Sequence, residues 1–516
     1  MRSSRVTAAI AGCLAGLLLA GCMAGPSSRP EVVVNDGGGE QPAPTSTSVE
    51  VPPLGEANPT INWSNCADEE EFADRLGQLN LPTWLPVKCG RVTSVLDSPY
   101  APGRGVARLR VLSAGSGPVP VVVVNDIDGM PGTLYAARLA AGLPQDLLSK
   151  ITLIGMDRRG TGNSGGINCI PTDTRLAVVD VDPTDLDVEH WLEPAQKAGQ
   201  QCALELEAQL PALDTWRTSA DLDRLREELG MRQLHAIGHG EGSRVLSVYA
   251  ERFPGQVGRM VLDGAPDPTK DASISLEGVA KGAQATLTAF AADCVATGCP
   301  LGAEPEVAVS QLFGQLRENP LSGPSMDLTA GVALTAVRLG LADRASWPSL
   351  AAAIAAASTG DPTGLLALVE PVVLPSQYQG ATLDGTLVTV CNDTTTRLAP
   401  ERITKFAKDW QEKYPVFGAY AAQQLTQCSP WTVPDKSLPS PTARDAPPIV
   451  VIGTGSDPVT PHDGSERAAQ QLRSGVFVSW QGAGHGALPG SPCAVEATVA
   501  FLIDGKPPRG GLVCPP

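Results

Sequence analysis

Three short glycine-rich segments follow apolar runs, and each stands where a reactive side chain could be presented. Gly238-His239-Gly240-Glu241-Gly242 comes after Leu234–Ile237 and before a helical run from Ser243 to Arg252. This is the frame Gly-x-nucleophile-x-Gly, whose glycines flank a strand-to-helix turn too tight for larger side chains. The central position is Gly240, which has no side chain to attack anything. After the run Pro448–Ile452 comes Gly455-Ser456-Asp457-Pro458, which puts a carboxylate just past a strand end. After Val476–Trp480 comes Gly482-Ala483-Gly484-His485-Gly486, which supplies an imidazole. The order nucleophile, acid, base belongs to one known layout of hydrolytic triads, with Asp457 orienting His485.

Acyl transfer needs an atom that attacks the carbonyl and then carries the acyl group. Removing that atom from a triad costs on the order of 10⁶ in kcat and leaves roughly 10³ to 10⁴ over water from the rest of the site. Ser243 lies about one turn into the helix and reads as a capping or packing residue. A water in the vacated space, activated by His485, is the other route left open. Glycine tolerates the strained elbow conformation without steric cost, so Gly240 suits the turn even as it removes the chemistry.

Positioning these segments requires a parallel sheet. Pro120–Val124 and Ile151–Met156 are continuous apolar runs, as strands buried on both faces should be. Arg108–Ser113 alternates, as a half-exposed strand does, and Arg259–Leu262 is a further strand. The helix Thr218–Leu229 has Thr218 or Ser219 to cap it, Leu222, Leu225 and Leu229 on one face, and Gly230 to end it. This strand–helix alternation stops between about Asp267 and Ser440, where Ala- and Leu-rich helical sequence with Pro breaks takes over. Strand signals on both sides make this stretch an insertion. The expected organisation is an α/β body in two parts, residues 61–266 and 441–516, with a helical cap at 267–440.

With the three frames in order, the chain resembles the secreted tripeptidyl aminopeptidases and prolyl-aminopeptidase-like α/β-hydrolases of actinobacteria. The segments that carry the resemblance are Ile61-Asn62-Trp63, Asp157-Arg158-Arg159-Gly160-Thr161-Gly162-Asn163-Ser164, Asp221 to Arg226, Val261 to Gly264, Cys391-Asn392-Asp393, Asp457 to Pro461 and Gly484-His485-Gly486. It covers roughly Ile61 to the end and implies an α/β-hydrolase fold with an inserted helical cap over the pocket. Such enzymes remove short N-terminal peptides or residues. They carry His-Gly-Gly-Pro-Gly after an early strand to build the oxyanion hole. Here the same place reads Asp128-Gly129-Met130-Pro131-Gly132. Gly129, Met130 and the backbone N–H of Glu241 are thus the expected oxyanion-hole region. Met130 replaces a glycine, and Asp126 and Asp128 add negative charge where it should hinder a developing oxyanion. The expectation is a catalytically impaired relative that binds a peptide or small acyl ligand. The alternative is an active peptidase or esterase using an unusual nucleophile, or water, with Asp457 and His485.

The N-terminus reads as an export signal. Arg2 and Arg5 precede the uncharged run Val6–Ala20, which as a helix rises only about 22 Å, short of a ~30 Å hydrocarbon core. Leu19-Ala20-Gly21-Cys22 resembles a bacterial lipobox. It implies cleavage after residue 21, a lipid on Cys22, and attachment to the outer face of the cell membrane by that lipid alone. Residues 22–60, rich in Pro, Gly, Ser and Thr, read as a flexible tether with a reach of roughly 30 to 35 Å.

Twelve cysteines include Cys13 in the signal and Cys22. The remaining even number suggests disulfides in an exported chain. Sequential pairing is the simplest assignment: Cys66–Cys89, Cys169–Cys202, Cys294–Cys299, Cys391–Cys428 and Cys493–Cys514. The count does not determine connectivity. No metal or cofactor is expected, because neither the cysteines nor Asp126, Asp128 and Asp157 show ligand spacing. The net charge of −17 argues against nucleic acid as a partner, since phosphate contacts need Lys and Arg.

Overall fold

The computed structural model describes residues 50–516 except 69, 376–379 and 435–436. The expected signal, Cys22 and most of the tether lie outside the described residues. Nine strands form one sheet: β1 (Val87–Val95), β2 (Val106–Gly115), β3 (Val119–Val124), β4 (Ile151–Met156), β5 (Leu234–His239), β6 (Val257–Asp263), β7 (Ile449–Ser456), β8 (Gly475–Ala483) and β9 (Leu512–Cys514). Their order is β1-β2-β4-β3-β5-β6-β7-β8-β9. β2 runs antiparallel to β1 and β4, and every other pairing is parallel. This is an α/β-hydrolase sheet. Every residue of β3, β5 and β6 is buried, and β3 accordingly reads as an unbroken apolar run.

Parallel strands need crossover helices, and their apolar faces close two cores, one on each side of the sheet. Leu134, Leu139 and Phe501 pack with Val121, Val123 and Ile237 on one side. Leu222, Leu225 and Leu246 pack with Val122, Val124 and Leu262 on the other. The helix Thr215–Glu228 starts earlier than its apolar face suggests. Asp214 caps it, accepting from the Arg217 N–H at 2.7 Å. Thr218 and Ser219 instead bond back to carbonyls of the first turn.

Between β6 and β7 the described residues are helical, from Ala272–Thr297 to Gly418–Gln427. This insertion has its own core, with Leu287, Phe290, Leu312, Val337 and Ile354 buried together. The helices Thr172–Asp180 and Val188–Leu206, read from sequence as part of the body, share that cap packing. Val178, Val179 and Cys202 lie in the cap's core, and Trp191 packs with Trp410 and Leu425. A buried ion pair joins the two segments, Arg175 Nε to Asp384 Oδ1 at 2.7 Å. The cap is therefore built from two insertions, which periodicity cannot reveal because an amphipathic helix does not announce its partner.

The end of the expected tether is also revised. Pro52 is buried, and its carbonyl accepts from Arg259 Nε at 2.8 Å. Val51 and Leu54 lie against the core of the body. Polar composition hid these few anchoring residues. The five disulfides are Cys66–Cys89, Cys169–Cys202, Cys294–Cys299, Cys391–Cys428 and Cys493–Cys514. Among the described residues no single helix is long and apolar enough to cross a membrane.

Candidate active site

The three frames meet at the carboxyl ends of β5, β7 and β8. β5 delivers His239, and the chain turns at Gly240 with φ 54° and ψ −125° into the helix Glu241–Arg252. The Gly240 N–H donates to the Asp263 carbonyl at 3.0 Å, which clips the turn to β6. At Gly242 an added Cβ would collide with the Val124 backbone carbonyl, so helix and β3 can approach only because that residue is glycine. Ser243 is fully buried at the start of the helix, with no hydrogen-bond partner for its hydroxyl, and it is not a replacement nucleophile.

The acid and base candidates face the turn. Asp457 is buried just past β7 and accepts the Val459 and Thr460 N–H groups at 2.8 and 2.7 Å and the Gly486 N–H at 3.1 Å. His485 Nδ1 lies 3.0 Å from both Asp457 oxygens. That contact leaves Nε2 directed at the elbow.

Nε2 meets a carboxylate there. Asp126, in the loop after β3, places Oδ2 2.9 Å from His485 Nε2. Its Oδ1 accepts the Glu241 backbone N–H at 2.7 Å. A Cβ built on Gly240 would collide with this carboxylate. The Asp126 side chain thus fills the volume that a side chain at 240 would need. It also takes the elbow N–H that would otherwise polarise a substrate carbonyl. The expected space for an activated water is occupied by these two oxygens.

Gly129 and Met130 lie beside this point, in the wall of a small pocket. Asn125 Nδ2 donates to the Met130 carbonyl at 2.7 Å and holds the loop. Arg158, Thr161, Gly380 and Thr382 supply other parts of the wall, so body and cap both shape it.

Electrostatics reinforce the arrangement. Burial pushes the Asp126 carboxyl up, but the charge and hydrogen bond of His485, the charge of His239 and the Glu241 N–H outweigh it and hold it at about 2. For His485 burial pushes down, and the charges and hydrogen bonds of Asp457 and Asp126 lift it well above its ordinary value. The two carboxylates thus favour the doubly protonated ring, the form with no lone pair to act as a base. Burial and the Asp126 charge raise Asp128, against the opposing pull of Arg338. Arg338 Nη2 lies 3.8 Å from Asp128 Oδ2.

His239 had no role in the sequence reading, yet it belongs to this cluster. Its ring stacks on Tyr135, with centroids 4.9 Å apart, and tilts against His485 at 4.4 Å. Its Nε2 is 3.5 Å from Asp126 Oδ2. Asp126 had been noted only as nearby charge. The one sequence signal for its role was an acidic residue beside a degraded oxyanion loop, and contact with position 240 depends on how β3 and β5 pair.

Sheet order, elbow geometry and the Asp457–His485 pair define an α/β-hydrolase of serine-hydrolase layout whose nucleophile position holds no side chain. Residues 414–514 match the family described as TAP-like protein. Over 482 residues the chain is 27% identical to the serine protease Hip1 of Mycobacterium tuberculosis, covering 88% of this chain and 91% of that protein. Over 493 residues it is 27% identical to carboxylesterase B of the same organism, covering 89% and 90%. Tripeptidyl aminopeptidase of Streptomyces lividans is 23% identical over 486 residues, covering 88% and 87%. The chain is thus similar to these three hydrolases over most of its length, and its C-terminal part matches the TAP-like model.

Proposed function

We propose that this chain is a lipid-anchored, extracytoplasmic relative of the tripeptidyl aminopeptidases in which serine-type acyl transfer has been lost. It acts by binding a peptide or small acyl ligand in the pocket between body and cap. The observation that carries this reading is the Asp126 carboxylate, which fills the Gly240 side-chain volume and engages both the Glu241 N–H and His485 Nε2. Nucleophile, oxyanion donor and base are disabled together by one residue and one deletion of a side chain.

The test uses the full chain and a fluorophosphonate probe. Wild type should not label. Gly240→Ser alone should not label either, because its Cβ meets Asp126. Gly240→Ser with Asp126→Ala should label at least about 10²-fold faster than wild type, since the remaining acid, base and backbone are in place. His485→Ala in that background should abolish the gain. Labelling of wild type, or ester turnover by wild type that His485→Ala removes, sinks the proposal.

The 2.9 Å contact between Asp126 and His485 also fits a second reading, a working site with Asp126 as carboxylate nucleophile. It requires wild-type turnover of an acyl substrate that Asp126→Asn abolishes. Against it, both Asp126 oxygens are already engaged.

A further inference from the structure

Two of the chain's five histidines converge on the Asp126 carboxylate. One atom from each of Asp126, His239 and His485 lies within 4.8 Å of the other two. Individually, Asp126 Oδ2 is 2.9 Å from His485 Nε2 and 3.5 Å from His239 Nε2. Zinc bonds to nitrogen and carboxylate oxygen are about 2.0 to 2.2 Å, so ligand atoms on one tetrahedral ion stand roughly 3.2 to 3.6 Å apart. Of the two measured separations one falls inside that range and the other just below it, so modest side-chain shifts bring the set onto one ion. Two imidazoles and a carboxylate form a known ligand set for zinc and other first-row divalent ions.

A second feature points the same way. Metal-binding imidazoles usually give their other nitrogen to a carboxylate, which fixes the ring and raises the basicity of the ligating atom. His485 Nδ1 faces Asp457 at 3.0 Å. His239 Nδ1 is buried with no hydrogen-bond partner and faces Asp263 Oδ2 at 3.7 Å. Asp263 is itself held by the Ala487 and Leu488 N–H groups at 2.7 and 3.0 Å. Each imidazole therefore has its own carboxylate behind it and shares Asp126 in front. The charge balance also favours a cation. Asp126, Asp128, Asp263, Asp457 and Glu241 surround the cluster, opposed by Arg158 and Arg338.

We propose that Nε2 of His239, Nε2 of His485 and the Asp126 carboxylate bind one divalent transition-metal ion of the zinc class, in the space a serine hydrolase gives to its nucleophile. The proposal rests on the reading that Asp126 occupies that space. The ion takes the place of the proton between Asp126 and His485, and that proton leaves to solvent. Pairing to Asp457 and Asp263 fixes the ring faces, so the site is specific for ions that accept nitrogen ligands, over Mg²⁺ and Ca²⁺.

The test is metal retention by the full chain without an affinity tag. The protein is stripped with chelator, dialysed against excess Zn²⁺ or Co²⁺, desalted and analysed for metal. Wild type should retain about one equivalent, and the Co²⁺ form should show the visible absorption of a low-coordinate nitrogen-ligated ion. His239→Gln and Asp126→Asn should each lower the affinity at least about tenfold. Asp457→Asn, which reaches the cluster only through the back of His485, should lower it roughly 10- to 100-fold. His462→Ala, remote from the cluster, should change nothing. Zn²⁺ should raise the Tm of wild type, a readout that needs no variant to fold. No retained metal and no Tm shift in wild type overturns the proposal, as does retention that is equal in wild type and in folded His239→Gln. Fluorophosphonate labelling is read on separate samples without metal, so failure here leaves the reading of a lost serine site standing or falling on its own result.

Discussion

The two sides of the site differ in how complete they are. On the β7–β8 side, Asp457 and His485 keep a complete hydrogen-bonded pair, backed by the Val459, Thr460 and Gly486 N–H groups. On the β3–β5 side, the backbone forms the elbow, but Gly240 has no side chain and the Asp126 carboxylate fills the gap. The contrast shows that packing alone is enough to require the elbow's glycines. Glycine at 242 is required by the Val124 carbonyl whether or not a nucleophile stands two residues earlier. The Asp457–His485 pair likewise survives with a structural partner in Asp126.

Variants can sharpen or break this contrast, and Gly242→Ala is expected to have the largest effect on stability. Its methyl has backbone on the other side, so the variant should lose about 3 kcal/mol, the upper end for overpacking, in denaturant unfolding. A neutral result would mean that the elbow is not held by packing. His235 tests the opposite end of β5, far from the reacting pole. Burial and then the Arg259 charge lower its pKa to about 4, and its Nδ1 accepts the Arg259 N–H at 3.0 Å. A base depressed in the folded state binds more protons when unfolded below about pH 6.5, so stability falls as pH drops from there toward 4. The loss from this group is about 2 kcal/mol at pH 5, and His235→Gln should flatten that part of the pH–stability curve. An unchanged slope would refute the assignment. The smallest effect belongs to Lys281 and Asp463, an exposed pair between the cap helix Ala272–Thr297 and the β7–β8 side. Lys281→Ala should cost under about 1 kcal/mol and vanish in high salt. A larger cost would mean that the cap is tied to the kept side more firmly than this contact allows.

Legibility followed the range of each interaction. β3 and β4 were readable because strands buried on both faces leave apolar runs, and the elbow glycines after β5 were readable because their spacing is local. β1 and β9 gave no such signal: β1 alternates in burial, and β9 is only three residues. The first cap insertion, Thr172–Leu206, was hidden because its apolar face looks the same whether it packs on sheet or cap. His239 was invisible as part of the site, since a lone histidine in a strand end has no partner in its own neighbourhood of sequence.

The amino-acid order alone determined that position 240 lacks a nucleophile, that Asp457 and His485 follow at successive strand ends, and that a helical stretch interrupts the body. Those are statements about residue identity and local period, which need no third dimension. What fills the vacancy was decided only by folding. Asp126 and Gly240 are 114 residues apart, and β3 pairing beside β5 brings the carboxylate to the elbow. A contact made across a sheet depends on strand order and register, and neither is encoded within reach of either residue.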